Sequence, residues 1–73
     1  MSRNKLYINE VATAYKFLID NKDDLKLQNF IKDMQNKKMM HSDRWSICYD
    51  FLKENYPNID GSIVTGLAYY LED

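Results

Sequence analysis

Apolar residues recur along this chain at three- and four-residue intervals, in four separate stretches, and that spacing predicts helices. In the first stretch, Ile8, Val11, Tyr15, Leu18 and Ile19 form one stripe, flanked by Tyr7, Ala14 and Phe17. The expected helix covers about residues 5–21. Asn4 is its expected N-cap, because a short polar side chain can accept from free N–H groups. Asn21 is the expected left-handed residue at its end.

The second stretch, about 24–39, buries Leu27, Phe30, Ile31 and Met34. Asp23 and Asp24 stand at its start and Lys37 and Lys38 near its end, both in the sense that favours the helix dipole. The third, about 42–56, opens with Ser42 as N-cap and Asp43 in the first turn. Trp45, Cys48, Tyr49 and Leu52 make one stripe and Ile47 with Phe51 a second. A face that wide predicts a central helix packed on two sides. Pro57 ends this helix by pushing the preceding residue out of the helical region, and residues 58–61 read as a turn. The fourth helix, about 62–71, places Ile63, Val64, Leu67, Ala68 and Leu71 inward. Gly66 in its interior costs about 1 kcal/mol against alanine, and close approach of another helix is the usual compensation. A strand over 63–65 would find no pairing partner elsewhere in the chain.

The expected fold is therefore all-α: one compact domain of four short helices, spanning residues 1–73. At 73 residues the core is small, and about 1.5 kcal/mol of ordering entropy per residue must be offset. One cysteine cannot form an internal disulfide, and one cysteine with one histidine cannot complete a structural zinc site. Stability must come from a dense, aromatic-rich core or from a partner. Six tyrosines suit either, since each joins a large apolar ring to a polar tip.

The formal charge is −1, which suits neither nucleic acid nor an anionic membrane over the chain as a whole. The halves differ: residues 1–38 carry eight Lys/Arg against five Asp/Glu, and residues 39–73 two against six. No long apolar run marks a signal peptide or a membrane span, and the unpaired cysteine fits a reducing compartment, so a cytoplasmic protein is expected. Heavy use of Lys, Asn, Ile and Tyr fits an AT-rich coding sequence, as in low-GC bacteria and their phages or plasmids.

Little of the chain carries chemistry. His41, two residues from Asp43, lacks a nucleophile at useful spacing, and each step along a helix turns the side chain by about 100°. Cys48, in an apolar stripe, reads as a buried small hydrophobe. Asp20, Asp23 and Asp24 lack the glycine and closing glutamate of a calcium loop. No enzyme activity, cofactor, metal or small-molecule substrate is expected.

Two binding surfaces remain. Tyr49, Tyr56, Tyr69 and Tyr70, with Met39 and Met40, are candidates to contact a protein partner or a second copy. Aromatic residues concentrate in interface cores, and methionine adapts to varied surfaces. Lys32, Lys37, Lys38, His41 and Arg44 form the one basic cluster. It could serve as the phosphate-contacting edge of a helix-turn-helix, with residues 36–41 as the turn. The expected function is a non-enzymatic protein-binding regulator or inhibitor of the antirepressor, immunity or adaptor type. The alternative is a dimeric helix-turn-helix DNA-binding regulator, disfavoured by Asp43 and Asp50 on the third helix.

Overall fold

Residues 7–72 are described by a computed structural model, in which four helices follow one another with no strand: α1 (Ile8–Asp20), α2 (Leu25–Gln35), α3 (His41–Asn55) and α4 (Gly61–Glu72). They fit within 31 × 24 × 18 Å. The all-α fold read from periodicity is the fold observed, and residues 63–65 are helical. None of the described helices is long and apolar enough to cross a membrane.

Helix ends depart from expectation by a few residues, each for a local reason. Asn4, the expected first cap, lies outside the described residues; α1 starts at Ile8 after Tyr7, which has no side-chain cap bond. Asn21 does not turn left-handed: its φ is −117°. Instead its side-chain amide donates to the Phe17 carbonyl at 2.9 Å. Asn36 and Asn55 repeat the device, donating to Lys32 O at 3.1 Å and Phe51 O at 2.9 Å. Each asparagine adds a side-chain bond to a last-turn carbonyl; at Phe17 that oxygen also accepts the Asn21 backbone N–H at 3.1 Å. With Asn36 so engaged, α2 stops at Gln35, and Lys37, Lys38 and Met39 fall in the loop. The start of α2 is as expected, with Asp24 Oδ1 accepting from Leu27 N–H at 3.2 Å. Ser42 is not the cap of α3; Met40 is, without a side-chain bond. The His41 ring stacks on Tyr69 at 4.2 Å, a contact that carries the helix back past Ser42. At α4, Asp60 Oδ1 accepts from Ser62 N–H at 2.9 Å.

The central helix is α4, not α3. Helices α1, α2 and α3 all pack on it. It buries Val64, Gly66, Leu67, Ala68, Tyr69 and Leu71, whereas α3 buries Arg44, Cys48 and Leu52. The cause is compositional. No charged residue occurs in α4 before Glu72, so it can be enclosed on every side, while α3 carries charge on most of its turns. The second stripe of α3 is partly outside: Ile47 is 41% exposed. The core runs from Ala14 through Leu27, Met34, Cys48 and Leu52 to Val64, Leu67 and Leu71. Phe30 of α2 stacks on Phe51 of α3 at 4.0 Å and closes one side.

Helix α1 is rotated from its expected setting. Ala14 is its one fully buried residue, and Val11, Phe17 and Leu18 are half-buried. Ile8, Tyr15 and Ile19, expected inside, are 66%, 54% and 50% exposed. Gly66 explains the rotation. A Cβ at that position would fall 3.1 Å from Ala14 Cβ, so small residues from the two helices meet there. The bulky stripe cannot occupy so narrow a crossing and turns to the side.

Candidate functional site

The structure gathers three of the five basic residues. Lys37 and Lys38 in the α2–α3 loop and Arg44 in the first turns of α3 line one cleft of about 440 Å³. Met39, Tyr70 and Glu72 also face it. Arg44 is the buried member, at 6% exposure. It shares a face with Cys48 and Leu52, one and two turns further along α3, and so points inward. Its Nη2 donates to Met39 O at 3.3 Å, and its Nε–H has no acceptor among the described residues. Lys37 pairs with Asp33 at 2.9 Å, both well exposed.

The other two basic residues lie elsewhere. Lys32 borders a groove between α1 and α2 with Leu18 and Ile31. His41 is half-buried on the Tyr69 ring, its Nδ1 3.5 Å from Glu72 Oε2. Among the described residues no continuous basic edge is formed. The exposed face of α3 offers Asp43, Asp50 and Glu54 against Lys53, a sign that opposes phosphate contact.

The tyrosines and methionines are also dispersed, each tyrosine in its own ring contact. Tyr49 is 39% exposed and stacks on Trp45, whose Nε1–H donates to Thr65 Oγ1 at 3.1 Å. Tyr56 is half-buried, edge-on to Phe17, with its hydroxyl donating to Asp24 Oδ2. Burial, followed by that bond, pushes the Tyr56 phenol up to about 12. The same bond is the main cause holding Asp24 below the usual carboxylate value, with the Leu27 N–H adding to it. Tyr69 is 9% exposed between the rings of Tyr7 and His41, a core residue rather than a contact residue. Tyr70 is half-buried near the Tyr15 ring. Met40 is 72% exposed and Met39 half-buried.

Burial pushes the Cys48 thiol up to about 12, against a smaller opposing pull from Arg44, so it is held as an unreactive thiol. Among the described residues no three of His, Cys, Asp and Glu come together where they could hold a metal ion.

Sequence reasoning missed the outward stripe of α1. Ile8, Ala12, Tyr15 and Ile19 share one exposed face at spacings of four, three and four. The signal was present as excess width: apolar residues cover more of α1 than one buried face requires. The chain matches no family model, no curated protein and no solved structure.

Proposed function

We propose that this protein is a small non-enzymatic binding module that regulates or inhibits a partner protein through the outward face of α1. The observation that carries this reading is the exposure of Ile8, Tyr15 and Ile19 on one helical face. Single exposed apolar residues are ordinary, but an aligned set with an aromatic at its centre is typical of a contact surface. The polar flanks of the stripe, Asn9, Thr13, Lys16 and Asp20, carry one charge of each sign and give a polar rim. Such a face fits an apolar groove on a partner, read as anchors at successive turns. A reducing cytoplasm is the setting that suits its single unpaired thiol.

The test places a photo-reactive benzoylphenylalanine at Ala12 and cross-links in living cells. The expected product is one adduct with a distinct protein, lost when Ile8→Glu and Ile19→Glu are combined while helicity is retained. Absence of any adduct, or an adduct unaffected by those changes, overturns the reading. An adduct with the mass of two copies replaces the partner with self-association.

A further inference from the structure

Arg44 is a buried cation with no ion pair among the described residues. Its guanidinium stays charged at any physiological pH, so burial cannot be relieved by losing a proton. Buried charges are retained when paired and hydrogen-bonded. Among the described residues no carboxylate lies within ion-pair distance of Arg44, and its Nε–H is buried without an acceptor. The carboxylate that shares its cleft, Glu72, has Oε2 set against His41 Nδ1.

Two more cations face the same space. Lys38 makes no ion pair among the described residues, and the Lys37–Asp33 pair is exposed and easily given up. Among the described residues, three cations thus meet one carboxylate around a cleft of about 440 Å³, within the range of small-ligand sites. We propose that this cleft binds a phosphoryl group, held by the Arg44 fork and the two lysine ammoniums. A dianion with several terminal oxygens can accept from all three, which a single carboxylate does less well. Met39, Tyr70 and Leu71 supply an apolar wall where the organic body of a phosphate monoester can rest. The site does not depend on the α1 surface being a protein contact.

The test is an NMR titration with inorganic phosphate and, separately, adenosine 5′-monophosphate, at constant ionic strength with chloride as control. The expected result is saturable movement of the Lys38, Met39 and Arg44 amides and of the Arg44 Nε–H signal. The Lys37→Ala/Lys38→Ala protein, altered only in a loop, binds roughly tenfold weaker or worse. Phosphate raises the melting temperature of the natural protein but not of Arg44→Met, which without phosphate is at least as stable as the natural protein. Tighter binding of the nucleotide, with Tyr70 moving, identifies an organic monoester; equal affinity identifies phosphate alone. No saturable movement, an equal response to chloride, or unchanged affinity after loss of both lysines overturns the proposal.

Discussion

Gly66 of α4 lies against the main-chain carbonyl of Glu10 in α1, with no room for a side chain between them. A Cβ built on Gly66 would sit 1.9 Å from the Glu10 oxygen and 2.4 Å from its carbon. The obstruction is backbone, so no rotamer change can relieve it. Gly66→Ala should gain about 1 kcal/mol in helix propensity yet lose more, because forced backbone shifts cost about 1–3 kcal/mol or above. Denaturant midpoints should fall with an unchanged slope. Gly61→Ala, with nothing within 4 Å, is the control and should be neutral or slightly stabilising. Equal stability of the Gly66→Ala protein would show that the two helices do not cross there.

Tyr69 and Tyr49 should separate core from surface. Truncating Tyr69 to alanine removes a ring held between Tyr7 and His41 and should cost about 3–5 kcal/mol, enough to unfold a domain of this size. Leu52→Ala, fully buried, should cost about 2–5 kcal/mol. Tyr49→Ala should stay close to the natural melting temperature. A Tyr69→Ala protein with full helicity and unchanged melting would place that ring outside the core.

The Asp24–Tyr56 bond should make stability fall at both extremes of pH. The folded Asp24 carboxyl lies below its ordinary value, so its contribution is present above that value and lost as pH falls through the folded one. The Tyr56 phenol is raised, so its contribution is complete below its ordinary value of 10 and lost as pH rises through about 12. In Tyr56→Phe the Asp24 carboxyl should titrate nearer the ordinary range, measured by carboxyl-carbon NMR. An unmoved titration would mean the bond is not formed in solution.

Cys48 should behave as a reporter of unfolding. Fully buried and raised to about 12, it should resist thiol reagents in the native protein and label only as denaturant opens the core. Its contribution to stability, present below its ordinary value of 9, should fade as pH rises toward 12. Fast labelling with native helicity intact would place the thiol at the surface.

The four helices were legible because apolar spacing and turn residues agree, most clearly at Asp24 and Pro57. The close approach at Gly66 was legible because a glycine inside a helix asks for a reason. The rotation of α1 was not. Its apolar arc is broad, and which part faces inward is decided by the small residue opposite Ala14, far along the chain. The burial of Arg44 ran against the rule that long cations stay outside, yet its line with Cys48 and Leu52 was visible in the sequence. The basic cluster read as an edge became a cleft because α2 ends early and leaves Lys37 and Lys38 in a loop that lines the same space as Arg44.

That every other helix rests on α4 also sets the timing of folding. A chain leaves the ribosome from its N-terminus, so α1, α2 and α3 emerge before the surface that buries Ala14, Leu27, Met34 and Leu52 exists. Short helices without tertiary support are marginal in water. Nascent chains stalled before Gly61 should therefore remain protease-sensitive, and chains extended until α4 has cleared the exit tunnel should become resistant in one step. A premature stop anywhere before α4 would yield no partial fold to accumulate, only a polypeptide ready for degradation.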